Sequence, residues 1–184
     1  MKPICGVSAC LLGQRVRYDG QHKTILDLQT VLGPHVELVP ICPEFEAGLG
    51  VPRPAMGWVE VKGQERLVTE LGHDVTDQLQ SWTRGFTALV WDAMVLKLRS
   101  PSCGRGRLPL KRADGSSAWT QNGIWVRHLQ QNFPHLVLFD EEGWLDMPRR
   151  TAFIQALFKA ASQRLGVKLL IPPEISETIN VSLN

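Results

Sequence analysis

The chain has 184 residues, of which 43% are hydrophobic and 21% charged, so its length suits one domain with a sizeable core. This composition excludes a mainly disordered protein, and 16 glycines with 12 prolines exclude a simple helical bundle. The formal net charge is only +2, but residues 93–113 contain six basic side chains and no acidic one. Such a region suggests either an anionic, phosphate-bearing ligand or a solvated basic loop.

No stretch contains the roughly 18 uncharged apolar residues that a membrane-spanning helix needs. The residues before Cys10 resemble a lipoprotein cleavage site, but their apolar run is too short for a secretory signal. We therefore expect a cytoplasmic protein without a membrane partner. In that reducing compartment the four cysteines are expected to be buried, catalytic or metal-bound rather than disulfide-linked.

Apolar periodicity, turn residues and capping residues predict alternating strands and helices. In chain order these are a strand at 4–9, a helix at 24–32, a strand at 36–41, a long loop at 43–57, a hairpin at 58–69, a helix from 74 or 76 to about 92, a strand at 93–98, a basic loop at 105–112, a helix at 123–133, a strand at 135–139 and a helix at 147–165.

This alternation predicts an α/β fold, with a mostly parallel sheet covered by helices on both faces in a Rossmann-like, three-layer arrangement. Ligands of such folds bind outside the carboxyl ends of the strands. We expect residues 1–146 to form this domain, and residues 147–184 to add a C-terminal helix and tail packed on it.

Three of the four cysteines follow predicted strands. Cys10 comes after the strand at 4–9, Cys42 after the strand at 36–41, and Cys103 after the strand at 93–98 through a short Ser-Pro-Ser loop. Because parallel strands end at the same edge of a sheet, these thiols are predicted to converge. Cys5 lies inside its strand and is expected to be buried and inert.

Converging thiols have several explanations. A structural zinc site is not favoured, because no close C-x2-C pair is present. Three thiolates with an open fourth position suit a catalytic metal centre, or an iron–sulfur cluster with one iron free of protein ligands. Thiol chemistry and small buried structural cysteines remain alternatives.

The residues around these cysteines resemble the thiouracil desulfidase family over about residues 3–140. The resemblance rests on three cysteine motifs in series, each with flanking residues. The first is Ser8-Ala9-Cys10-Leu11-Leu12-Gly13, followed by Val16-Arg17-Tyr18-Asp19-Gly20 and Lys23. The second is Cys42-Pro43-Glu44, followed by Gly48-Leu49 and Pro52-Arg53-Pro54, and the third is Ser100-Pro101-Ser102-Cys103-Gly104, preceded by Lys97. The resemblance implies a 4Fe–4S cluster held by Cys10, Cys42 and Cys103. It also implies release of sulfide from a thiolated pyrimidine such as 2- or 4-thiouracil, without net redox chemistry.

In the reaction that this resemblance implies, Glu44 is the candidate for transferring protons. Ser100 is the candidate for orienting water or binding a pyrimidine oxygen, and Ser102 is the second choice for that role. Weaker candidates for substrate binding are Arg17, Tyr18, Arg53 and Arg105. Lys97 lies near the end of a buried strand, so a partner for its charge is expected.

The predicted partner is a small thiolated pyrimidine as a base, nucleoside or nucleotide, whose phosphate would meet Arg105 or Arg107. The alternative function is a non-catalytic protein that binds a metal, an iron–sulfur cluster or sulfur. We do not expect a nucleic-acid partner, because the basic region lacks the interleaved exposed aromatic residues typical of such surfaces.

Overall fold

The computed structural model describes residues 1–87 and 89–180, with side chains to residue 177. In chain order these residues form β1 (Ile4–Ser8), α1 (Leu26–Leu32), β2 (Glu37–Ile41), β3 (Met56–Val61), β4 (Gln64–Thr69), α2 (Thr76–Arg84), β5 (Ala93–Leu96), β6 (Arg107–Lys111), β7 (Ser117–Gln121), α3 (Ile124–Asn132), β8 (Val137–Asp140), α4 (Glu141–Leu145), α5 (Met147–Leu165) and α6 (Pro173–Asn180). None of the helices in these ranges is long and apolar enough to cross a membrane.

The first sheet is fully parallel, with its four strands in the order β2–β1–β5–β8. β1 and β5 are its central strands, and every residue of β5 is buried. A parallel sheet of this kind must be covered on both faces, since its strands are apolar on both sides.

Helices cover both faces of this sheet. On one face, Val7 and Val95 belong to a cluster with residues of α1 and α5, among them Leu28 and Ile154. On the other face, Met94 packs in a second cluster that includes side chains of α3. The predicted α/β class, with helices on both faces of a mostly parallel sheet, is therefore confirmed.

The second sheet is mixed, in the order β4–β3–β6–β7. β3 and β4 form the hairpin predicted at 58–69, which turns at Lys62 and Gly63 with φ of 51° and 76°. One face of this sheet packs Trp58 and Leu108 against Leu79 of α2 and Ile124 of α3.

Two sequence predictions are wrong in this region. Residues 105–112 are not a basic loop, because Arg107–Lys111 is β6 and pairs antiparallel with β7. The predicted helix at 74–92 ends at Arg84 instead. The chain already runs beside β1 at Asp92, whose backbone amide donates to Ile4 O and whose carboxylate accepts from Ile4 N.

Candidate functional site

A cavity of about 540 Å³ lies at the carboxyl ends of β1, β2 and β5. This is the edge of the parallel sheet where ligands of such folds bind. Eight of the side chains singled out from the sequence line it: Cys10, Arg17, Tyr18, Cys42, Glu44, Arg53, Ser100 and Cys103.

The three cavity cysteines are held by the chain that follows each strand. Cys10 lies in a short 3₁₀ turn, Ala9–Leu12, which Gly13 ends in a left-handed conformation with φ of 89°. Cys42 is the first residue after β2, and Cys103 belongs to the loop after β5. All three are free thiols, as is Cys5, which is fully buried within β1.

Burial and mutual repulsion keep these thiols protonated when nothing is bound to them. Burial, with a smaller contribution from the nearby Cys42, raises the pKa of Cys10 to about 11. Burial likewise raises the pKa of Cys42 and of Cys103, and the charges of Cys42 and Cys10 act on Cys103. The three sulfur atoms are therefore close enough to influence one another.

The loop that carries Cys103 is locked by its own hydrogen bonds. Ser100 Oγ accepts from the backbone amides of Ser102 and Cys103, at 3.2 and 3.1 Å. The N-terminus of α3 packs directly on this loop: a Cβ added to Gly123 would lie 2.2 Å from Ser102 O. The orientation of Ser100 and Cys103 thus depends on close backbone contact with α3.

Glu44 is buried beside the thiols and all of its acceptor positions are used. Arg53 donates to its Oε2 through Nε at 2.9 Å and Nη2 at 2.5 Å. Ser102 donates to its Oε1 at 2.8 Å, and Ser100 donates to the same oxygen at 3.3 Å. Ser102 is fully buried behind the cavity wall, whereas Ser100 lines the cavity, so Ser100 is the hydroxyl that can reach a ligand.

The guanidinium of Arg53 therefore binds Glu44 and does not extend to the cavity opening. Its side chain is only 4% exposed, and its Nη1 also donates to Val16 O and Gly50 O. These bonds fix both the guanidinium and the carboxylate it holds.

Arg17 and Tyr18 stand at the more exposed side of the cavity. Arg17 donates to both carboxylate oxygens of Asp19, which lowers the pKa of that carboxyl to about 2. Arg105, by contrast, is not brought into the cavity: its Nη1 donates to Leu138 O at 3.0 Å. The chain between Cys103 and β6 directs Arg105 toward β8, which the sequence did not show.

Lys97 is a cavity residue that the sequence did not propose as part of the site. Its Nζ donates to Glu141 Oε1 at 2.5 Å and to Leu98 O at 2.8 Å, which supplies the partner expected for a charge at the end of a buried strand. Because Lys97 lies only six residues before Cys103, its position in the sequence could have identified it as a cavity residue. Its partner Glu141 could not be identified in this way, because it lies far along the chain at the start of α4.

The donor set of the cavity fits an iron–sulfur cluster better than a single metal ion. In the part of the chain that the structure describes, no three His, Cys, Asp or Glu side chains are grouped to hold one ion. Each iron of a cluster is a separate atom that binds its own thiolate, so three cysteines can stand further apart around it. Glu44 is fully engaged by Arg53 and two serines, so the donors that this cavity would offer to a cluster are the three thiols.

The fold and the cavity together define an α/β protein with a three-thiol site at the carboxyl edge of a parallel sheet. The sequence model of the family described as 2-thiouracil desulfurase matches residues 5–142. The chain belongs to this family.

Two similar proteins extend the comparison. The uncharacterized protein YbbK of Bacillus subtilis (strain 168) is 33% identical over 110 residues, which cover 54% of this chain and 72% of that protein. The solved structure of the 4Fe–4S-dependent thiouracil desulfidase TudS is 32% identical, with a TM-score of 0.58. The match covers 83% of this chain and 99% of that one.

Proposed function

We propose that this protein is an iron–sulfur-dependent desulfidase that replaces the sulfur of a thiolated pyrimidine with oxygen from water. The observation that carries the proposal is the convergence of Cys10, Cys42 and Cys103 on one cavity, with Glu44 and Ser100 in its wall. Membership in the 2-thiouracil desulfurase family and the likeness to TudS support the same activity.

Cys10, Cys42 and Cys103 would hold a 4Fe–4S cluster. When bound, the cluster supplies an iron without a protein ligand, a soft Lewis acid for the sulfur of a C=S group. Cations in the cavity wall compensate the negative charge that three thiolates bring: Lys97 lowers the free energy of ionising Cys10, and Arg53 has the same effect on Cys42.

Ser100 and Glu44 form the proton path of the proposed reaction. Ser100 faces the cavity and donates to Glu44 Oε1, so a water placed against Ser100 passes its proton through that hydroxyl to the carboxylate. Arg53 and Ser102 hold Glu44 in place while this occurs.

The overall change is balanced without an oxidant or a reductant. Water supplies the oxygen of the new C=O group, and its two protons leave with the sulfur as hydrogen sulfide. The substrate is a small molecule that carries a thiocarbonyl, and a cavity of about 540 Å³ is in the range of small-molecule sites.

The first test is the iron, sulfide and zinc content of protein purified and reconstituted without oxygen, together with its visible spectrum. We expect about four irons and four sulfides per chain, as in one cubane cluster, and loss of both in Cys42→Ser. The loaded protein should then release sulfide from 2- or 4-thiouracil with no added reductant. Zinc alone, or no metal under these conditions, would contradict the proposal.

A second test separates catalysis from simple binding of a cluster or of sulfur. Glu44→Gln and Ser100→Ala should keep their iron and lose sulfide release by about 10²-fold or more, the usual contribution of a positioned proton carrier. The two variants disturb different contacts: Ser100→Ala leaves the Glu44–Arg53 pair intact, and Glu44→Gln leaves the bonds from Ser102 N and Cys103 N to Ser100 Oγ. The iron content of each variant reports whether the loop that carries Cys103 has kept its structure. Unchanged turnover in both variants would contradict the proposed proton path, and no turnover even in the loaded wild-type protein would favour a binding role.

A further inference from the structure

The hairpin of β6 and β7 presents a basic and aromatic face that the proposed reaction does not use. Its residues alternate strictly, with Leu108, Leu110 and Thr120 buried against the core of the second sheet. The opposite face consists of exposed residues: Arg107, Pro109, Lys111, Ser117, Trp119 and Gln121.

Trp119 is the centre of this face. Its side chain is 57% exposed, and it lies directly across the ladder from Pro109. The guanidinium carbon of Arg107 lies 4.9 Å from the centre of the indole ring, a cation–π distance. The ring is thus oriented by its neighbours while much of it is open to solvent.

The cations around Trp119 lack acidic partners. Within the described residues, Arg107, Lys111 and Arg112 form no ion pair, whereas Arg66 on the same sheet is paired with Asp74 and Asp77. The one acid of the hairpin is Asp114, at its turn, where it accepts from the backbone amide of Ser116 at 2.8 Å and lies near Arg112. The face therefore carries a net positive charge that is free to meet an anion.

An open cleft of about 390 Å³ begins at Trp119, beside β7 at the edge of the sheet. Amide side chains line it: Gln121, Asn122, Gln130 and Gln131. Asn122 donates to Gln130 Oε1 at 2.9 Å and accepts from Gly106 N, so among the described residues Gln121 and Gln131 are the amides of the cleft whose side chains form no hydrogen bond within the chain. Amides both donate and accept hydrogen bonds, as the edges of unpaired nucleobases require. The acid in this cleft, Glu65, is neutralised by Arg127 at 2.8 Å.

We propose that the β6–β7 hairpin is a binding surface for single-stranded nucleic acid. A base stacks on Trp119, the neighbouring phosphates meet Arg107 and Lys111, and the amide cleft receives a base edge. An aromatic platform with surrounding cations is the general means by which proteins hold single strands. The sequence argument against such a partner was the missing exposed aromatic residue, and Trp119 supplies it.

The surface needs neither the cluster nor turnover, so cluster-free full-length protein tests it independently of the desulfidase proposal. A labelled oligouridylate is titrated with wild type, Trp119→Ala, Trp119→Phe and an Arg107→Gln/Lys111→Gln double variant, at several salt concentrations. Lys159→Gln/Lys168→Gln removes the same charge from exposed positions on and after α5 and serves as the matched control.

We expect Trp119→Ala to weaken binding about tenfold, the effect of losing one stacked base, and Trp119→Phe to restore most of it. In a plot of the logarithm of the binding constant against the logarithm of the salt concentration, the hairpin double variant should have a slope that is shallower by about 0.7 for each lost phosphate contact. The control should keep the wild-type slope. The proposal is overturned if wild type does not bind, if Trp119→Ala binds as well as wild type, or if polyglutamate competes as effectively as the oligonucleotide.

Discussion

Cys10 offers a direct measurement of the electrostatics of the cavity. Because burial and the neighbouring Cys42 disfavour its thiolate, its pKa in cluster-free protein should be about 11 instead of 9.0. The raised value contributes stability below pH 9.0, and this contribution is lost as the pH rises through about 11. The ultraviolet absorbance of thiolate, compared between wild type and Cys10→Ser, should show this titration. If the absorbance difference between the two proteins is instead centred at the ordinary cysteine pKa of 9.0, Cys10 is not buried beside Cys42 as described above.

Arg53 is predicted to matter more for stability than for contact with a ligand. Replacing it with Met leaves the Glu44 carboxylate buried and without its ion-pair partner, which should cost about 3–5 kcal/mol of unfolding free energy. Urea unfolding of the cluster-free protein measures this loss. Adding Glu44→Gln to the Arg53 variant should recover part of the stability, because the uncompensated charge is then removed. If the Arg53 variant loses less than about 0.5 kcal/mol of unfolding free energy, the usual effect of a surface substitution, then Arg53 and Glu44 do not form a buried ion pair.

At the scale of elements, the site depends on how α3 meets the loop after β5. Gly123→Ala places a Cβ 2.2 Å from Ser102 O, and the backbone of Gly123 (φ −70°, ψ 162°) is otherwise suitable for alanine. The clash should displace the loop that carries Ser100 and Cys103, destabilise the fold by about 1–3 kcal/mol and reduce the iron retained.

Gly57→Ala is the matched control, since a Cβ there meets nothing within 4 Å. It should change the unfolding free energy by no more than about 0.5 kcal/mol and leave the iron content as in wild type. Thermal unfolding and iron analysis of the two variants, prepared in parallel, decide the point. Equal iron content in both would mean that contact with α3 does not position Cys103.

At the scale of the whole molecule, a bound cluster would join three separate parts of the chain. Cys10, Cys42 and Cys103 follow β1, β2 and β5, so a cluster held by these residues would tie together three adjacent strands of the first sheet. A ligand present at about 100 times its Kd stabilises a native state by about 2.7 kcal/mol. For a chain of this size the Tm of the loaded protein should be about 5–10 °C above that of the cluster-free protein. Calorimetry without oxygen measures the difference, and Cys42→Ser should abolish it.

The sequence by itself determined the elements whose signals are local. The helix α5 begins and ends where its apolar spacing and the final Gly166 predict, and the β3–β4 hairpin follows from alternation around Lys62-Gly63. The convergence of three cysteines also followed from sequence, because the carboxyl ends of parallel strands lie at one edge.

The strand β6 was not predicted from the sequence, although Leu108 and Leu110 alternate with exposed residues. Its Pro109 and the surrounding cations are typical of a loop; the short ladder with β3 includes only Leu110 and Lys111 and so tolerates that proline.

Only the tertiary structure decided which charges meet. Glu44 pairs with Arg53 nine residues away and with Ser102 fifty-eight residues away, and Lys97 pairs with Glu141 across forty-four. Arg105 is drawn to β8 and away from the cavity, while the exposed Trp119 is placed under Arg107 by the register of a hairpin. Side-chain partners of this kind depend on the packing of distant elements, and no local pattern of residues encodes that packing.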